Sequence, residues 1–125
     1  MTHDRAAAER RGRRAETIAA WWLRLQGWSS LAQRARVRGG EVDLVARRGR
    51  ILAFVEVKAR ASDAAAGFAL DQHRLLRVAV AAEILARRYA RPGDDIRIDA
   101  LFIVPRRWPQ HLPGVWTGDK ARRLA

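Results

Sequence analysis

Two stretches of alternating character, joined by a link too short for anything but a tight turn, constrain this chain more than any other feature. In Glu41 to Arg47 the residues Val42, Leu44 and Ala46 alternate with Glu41, Asp43 and Val45. In Ile51 to Ala59 the residues Ile51, Ala53, Val55 and Val57 alternate with Leu52, Phe54, Glu56 and Lys58. A period of two is the strand period, because successive side chains leave opposite faces of the pleat. The link Arg47-Arg48-Gly49-Arg50 holds the glycine that a tight hairpin wants, so the strands are expected to pair antiparallel. With Arg48 and Gly49 as the loop, Arg47 faces Arg50, and Glu41 and Asp43 share a face with Phe54, Glu56 and Lys58. A three-residue loop would put Asp43 on the face opposite Glu56. The other face, Val42, Leu44, Val55 and Val57, is apolar and belongs in the core.

Acids gathered beside apolar residues are unfavourable unless something positive sits among them. A divalent cation answers that need. Mg2+ takes hard oxygen ligands, commonly one or two carboxylates completed by water and substrate phosphate, and Asp43 and Glu56 could supply the two. A cation so placed polarises a phosphate and activates water for phosphodiester hydrolysis, while Lys58 on the same face could orient that water or neutralise developing charge. The competing reading is a cross-strand ion-pair ladder of Glu41, Asp43, Glu56 and Lys58 on a solvated face. Spacing alone leaves both open.

The partner is suggested by charge. With 25 Lys+Arg against 13 Asp+Glu, the formal net charge is +12, and all the basic residues but Lys58 and Lys120 are arginines. Such a balance is the footprint of a protein that meets polyphosphate, with an anionic membrane surface as the alternative. The absence of cysteine excludes thiolate nucleophiles and sulfur-bound zinc. His3, His73 and His111 show no ligand spacing. No apolar run reaches the roughly 18 residues of a membrane span, and no apolar secretory stretch is present, so a cytoplasmic protein without membrane attachment is expected.

The rest of the chain reads as follows. Ala15, Ile18, Ala19, Trp22 and Leu25 or Gln26 recur at helical steps, predicting a helix from about Ala6 or Gly12 to Gln26, closed by Gly27. Trp28 to Val37 reads as a mixed strand ended by Gly39-Gly40. After a loop with Ser62, Asp63 and Gly67, a second helix is predicted from Asp71, whose carboxylate would cap it, with the stripe Leu75, Val78, Ala79, Ala82, Leu85, Ala86 and Tyr89. Ile96 to Val104 predicts a buried strand stopped by Pro105, and Val115-Trp116-Thr117 a last short one after a Pro-rich link. The expectation is a single α/β domain over residues 1–125, a central mixed sheet flanked by helices in the order α-β-β-β-α-β, with a Pro-rich, basic segment at 105–125.

Gly39-Gly40-Glu41-Val42-Asp43-Leu44-Val45 and Phe54-Val55-Glu56-Val57-Lys58-Ala59-Arg60 resemble the two signature strands of the YraN-like family. These small bacterial proteins are placed in the restriction-endonuclease-like PD-(D/E)xK superfamily and are similar to archaeal Holliday-junction resolvases. The resemblance extends to Gly12-Arg13-Arg14-Ala15-Glu16, to Gln72 at the second helix and to Ile96-Arg97-Ile98-Asp99. It implies Asp43 and Glu56 as ligands of Mg2+ or Mn2+, Lys58 as the catalytic lysine, Glu16 as a further acid from the first helix, and Gln72 as a polar site residue. It departs at Asp71-Gln72-His73-Arg74, where His73 and Arg74 stand in place of an expected lysine.

The function expected is a metal-dependent endonuclease acting on DNA, on branched or recombination intermediates, with Arg10, Arg11, Arg13, Arg14, Arg60 and Arg74 contacting the nucleic acid. The alternative is a non-catalytic DNA-binding accessory protein in recombination, repair or DNA uptake. A homodimer, and a helicase or recombination partner, are compatible with either. Asp99 reads as a strand-end acid. Trp22 reads as core, and Trp108 and Trp116 as the better candidates for stacking on bases.

Overall fold

The computed structural model describes residues 2–60 and 72–116. Helix α1 (Thr2–Leu25) leads into strands β1 (Ser29–Val37), β2 (Gly40–Arg48) and β3 (Ile51–Ala59); helix α2 (Gln72–Tyr89) crosses to β4 (Asp95–Ile103), and β5 (Gln110–Trp116) follows. The expected loop with Ser62, Asp63 and Gly67, the cap at Asp71 and Thr117 lie outside the described residues.

The hairpin forms with Arg48 opposite Ile51 and Leu44 opposite Val55, so its two-residue turn is Gly49-Arg50, one position later than predicted. Gly49 takes a positive φ of 60° there. Moving the turn by one residue changes the partners by two, and a slip of two leaves every side chain on its own face. The parity therefore survives the error in register.

The sheet order is β1-β2-β3-β4-β5, antiparallel except for the β3–β4 pair. Helix α2 makes the crossover that a parallel pair requires. Its stripe is as predicted: Leu75, Val78, Ala82 and Leu85 are buried, with Ala79, Ala86 and Tyr89 partly so, against Val45, Leu52, Phe54 and Ile98. On the other face Ala19, Ala20 and Leu23 of α1 cover Leu44, Ala46, Ala53, Val55 and Leu101. Val42 departs from the expected apolar set, packing under α2 with Val45 while Leu44 lies under α1.

Three other expectations are corrected. The buried stripe of α1 is Ala15, Ala19, Ala20 and Leu23, whereas Ile18 and Leu25 are 41% and 67% exposed. Alanines at the contact let the helix approach the sheet closely, and the bulkier side chains stay outside. The helix also begins earlier than predicted. Strand β5 is longer than predicted, because on an edge strand Pro113 removes no needed ladder bond and Gly114, at φ 64°, sits beside a register irregularity. The predicted stop at Gly27 holds: its N–H donates to the Arg24 carbonyl at 3.0 Å, the Trp28 N–H donates to that of Leu23 at 2.9 Å, and Trp28 buries against Leu23. Among the described residues no helix is long and apolar enough to cross a membrane.

Two contacts seat α2 on the hairpin. The Arg47 guanidinium donates to both carboxylate oxygens of Asp94, at 2.9 and 2.7 Å, and to the Tyr89 carbonyl at 2.9 Å. At the other end Gly40 lies so near α2 that a Cβ there would meet the Arg77 carbonyl oxygen at 2.5 Å and the Ala81 nitrogen at 2.8 Å. Those atoms are backbone and cannot rotate away. Gly40→Ala is expected to push α2 off β2 and lower stability by about 1–3 kcal/mol in urea unfolding. Gly12→Ala, mid-helix with open space around it, should instead raise stability by about 0.5–1 kcal/mol. Equal midpoints for wild type and Gly40→Ala would refute the close-approach account.

Candidate active site

The site lies where β2 and β3 part. Their ladder ends at Leu44 opposite Val55; beyond it β2 pairs only with β1, through Ala35–Val42 and Arg36–Glu41, and β3 only with β4, through Glu56–Ala100 and Lys58–Phe102. A fork in a sheet strands backbone donors in the interior, and each needs a partner. Asp43 supplies one: its Oδ2 accepts the Val57 N–H at 2.8 Å.

Beside it Glu56 is 1% exposed. Its Oε1 accepts from Arg74 Nε and Nη2, both at 2.8 Å, and lies 3.2 Å from Lys58 Nζ. Its Oε2 is buried and has no hydrogen-bond partner among the described residues. The carboxylate is thus paired with cations through one oxygen, while the other is buried without a partner among the described residues. Burial, together with the negative charge of Glu56, raises the Asp43 pKa to about 7, against the lowering effect of the Val57 N–H. An Asp43 that resists ionisation beside another carboxyl is relieved by a proton or by a cation. Hard oxygens of this kind suit Mg2+ or Mn2+, and the unpartnered Oε2 with the adjacent Asp43 is where the donor set fits such an ion. Among the described residues no group of three or more His or acidic side chains is placed to hold a metal ion.

Asp43 faces a cleft of about 430 Å³, which is also lined by Arg13 and Glu16 of α1, Arg34 and Arg36 of β1, Glu41 and Arg74. Glu16, expected as a third acid, reaches this cleft, where its Oε2 accepts from Arg34 Nε at 2.6 Å. Glu41 stands on the wall near three arginines, Arg36 at 3.7 Å and Arg74 and Arg77 at 3.9 Å. Gln72 is exposed at the first residue of α2, two positions before Arg74.

The six predicted nucleic-acid arginines are dispersed. Arg13 and Arg74 line the cleft, Arg11, Arg14 and Arg60 line a different groove, and Arg10 is exposed on α1. Sequence reading missed Arg34 and Arg36. A signal existed: Arg38-Gly39 is a second two-residue turn, with Gly39 at φ 84°, and the register it sets puts Arg34 between the pairs Gln33–Leu44 and Ala35–Val42, abreast of Asp43.

Asp99 is fully buried elsewhere in the sheet, paired with Arg97 at 2.9 Å through both oxygens, His111 Nε2 at 2.7 Å and the Gly114 N–H at 3.0 Å. Burial alone would raise its pKa; these partners hold it below the ordinary value, so it ties β4 to β5 as an anion. Trp116, weighed beside Trp108 as a stacking residue, is 5% exposed in the core under α2, because it is the inward residue of β5. Trp108 is 78% exposed.

The comparisons with known proteins agree with this architecture. An archaeal protein described as Archaeoglobus fulgidus Hjc, a Holliday junction resolvase, superposes with a TM-score of 0.52 over 82% of this chain and 71% of its own, at 21% identity. The fold is therefore restriction-endonuclease-like, as the strand motifs implied. A UPF0102 protein of Sphingopyxis alaskensis is 64% identical over 90% of this chain and 97% of its own length, and one of Rhizorhabdus wittichii 56% identical over 92% and 98%. The model of the uncharacterised protein family UPF0102 matches residues 15–103, a span that holds α1 from Ala15, the forked hairpin, α2 and β4, and the chain belongs to that family.

Proposed function

We propose that this chain is a divalent-metal-dependent endodeoxyribonuclease whose site is the fork between β2 and β3. The observation that carries the reading is the buried, unpartnered Oε2 of Glu56 beside an Asp43 whose ionisation is suppressed. A solvent-facing ladder would leave neither feature, since water would satisfy both carboxylates. The resolvase name of the solved protein with this fold supports the same class.

Asp43 and Glu56 would hold Mg2+ or Mn2+, which when bound supplies charge neutralisation at the scissile phosphate and a lowered pKa for an attacking water. Lys58, anchored to Glu56 Oε1, presents its ammonium at that side of the phosphate, to orient the water or stabilise developing negative charge. Arg13, Arg34 and Arg36 line the approach as phosphate contacts. The second reading, a DNA-binding protein that does not cut, is favoured by one observation: Arg74 already lies on Glu56, giving that carboxylate a cation from within the chain.

Cleavage separates the two. Incubated with Mg2+ or Mn2+ and labelled linear, flapped and four-way DNA, the protein is expected to cut at least one substrate; binding to all without cutting any would establish the accessory reading. Asp43→Asn should abolish cleavage while leaving DNA affinity equal or higher, because one repulsion toward phosphate is gone. Calorimetric titration of Mn2+ should give heat with the wild type and little with the variant, and identical heats would remove the metal site.

The same substitution reports on Asp43 in the folded protein without metal. An unfolded aspartate ionises near its ordinary value of 3.8, and the folded one near 7. Between these values the native state holds the extra proton, so stability falls as pH rises through the window, with a slope of at most about 1.4 kcal/mol per pH unit. In chelator, urea unfolding should follow that decline for the wild type and a flatter line for Asp43→Asn. Parallel profiles would mean that Asp43 is ionised throughout.

A further inference from the structure

The middle of α1 has a channel on each side. Glu9, Arg13 and Glu16 line the active-site cleft, whereas Arg11, Arg14 and Ile18 line a larger groove of about 800 Å³ between α1 and the β4–β5 loop, residues 104–109. Ala59 and Arg60 of the groove follow Lys58 directly in sequence.

The groove has an unusual lining. Four arginines, Arg11, Arg14, Arg60 and Arg106, line it together with an apolar floor that includes Ile18, Ile103 and Pro105, and among the described residues no acidic side chain contributes. Between Arg107 and Pro109 of that lining, Trp108 is 78% exposed and lies against Trp22, with ring centroids 5.5 Å apart and planes tilted by 35°. One face of the indole is thereby braced and the other left to solvent. The turn beside it holds Arg106 at φ 63°, a conformation disfavoured for any residue with a Cβ. The sequence accepts that strain with an arginine where glycine would relieve it, and so places Arg106 and Arg107 side by side at the rim.

An occupant must match both halves of this surface, a line of negative charge and flat apolar groups. A second copy of this chain, at +12, would bring arginine against arginine. A DNA duplex offers phosphates but hides its base faces. An unpaired strand offers both, and basic grooves with aromatic platforms are the usual way of binding one. We infer that the groove binds a single-stranded arm of a branched DNA, with a base stacked on Trp108, while the duplex arm lies in the cleft across α1. The inference rests on the nuclease reading for the cleft and adds to it a substrate class and a second channel.

The test is the anisotropy of labelled oligo(dT) and of a blunt duplex, in chelator so that nothing is cut. Trp108→Ala is expected to weaken oligo(dT) binding about tenfold, as the loss of one stacked base does, to spare the duplex, and to be rescued by Trp108→Phe. Arg106→Glu should weaken oligo(dT) binding and flatten its salt dependence. The exposure of Trp108 makes a folding defect an inadequate explanation for such a pattern. If the wild type fails to bind oligo(dT), or Trp108→Ala binds it unchanged, or strand and duplex lose equally, the inference is overturned; unchanged binding would pass the groove to an acidic protein segment. Strand binding that responds as expected in a protein that cuts nothing would remove the nuclease reading alone, and cutting with an indifferent Trp108 would remove only the groove.

Discussion

The structure depends on a carboxylate kept almost out of water. Glu56 sits in the central strand of the sheet, and an isolated charge there would be costly by several kcal/mol. Arg74 and Lys58 offset that cost from one side only. Removing Glu56 would leave Lys58, itself mostly buried, without the anion that holds it, so the arrangement is mutually dependent. The fork follows from the same constraint. Had β2 and β3 continued to pair, backbone would have filled the space that the carboxyls occupy; Asp43 instead spans the opening and satisfies the Val57 N–H that the lost ladder would have paired.

Much of this was legible, and the errors have physical causes. Period-two alternation is a strong signal when one face is charged and the other apolar, so β2 and β3 were placed within a residue. The turn was misplaced by one because Arg48, Gly49 and Arg50 give little to choose between, and parity protected the conclusion. The buried face of α1 was misread because hydrophobicity points to Ile18, Trp22 and Leu25, whereas close packing selects small residues such as Ala15 and Ala19. No pattern in one strand reports how near a helix will come. The fork itself was invisible, since pairing that stops partway is a property of three strands competing for neighbours.

The arginines make the same point about composition. A total charge suggests a polyanion and says nothing of where it lies. In the fold Arg47 is consumed by Asp94 and the end of α2, Arg97 by Asp99, and Arg74 by Glu56. Those are structural or site-forming contacts at short range in partly buried settings, where salt screens them weakly. Arg11, Arg14, Arg60 and Arg106 are set around a groove to which no acid contributes among the described residues.

Helix α1 then does more than cover the sheet. Its Ala15–Ala19–Leu23 stripe fixes it on β2 and β3, and because that stripe is narrow, the flanks on either side remain available for other contacts. One flank brings Glu16 to Arg34 beside Asp43, and the other brings Arg11 and Arg14 to the groove. On the proposed reading, a wall between a cleft of mixed acids and arginines and a basic groove would set the angle at which two segments of one polyanion lie. If the proposed reading holds, packed alanines that fix this angle would let the shape of a substrate be selected before any base is read, by arginines that meet phosphates and an exposed indole that stacks on any base.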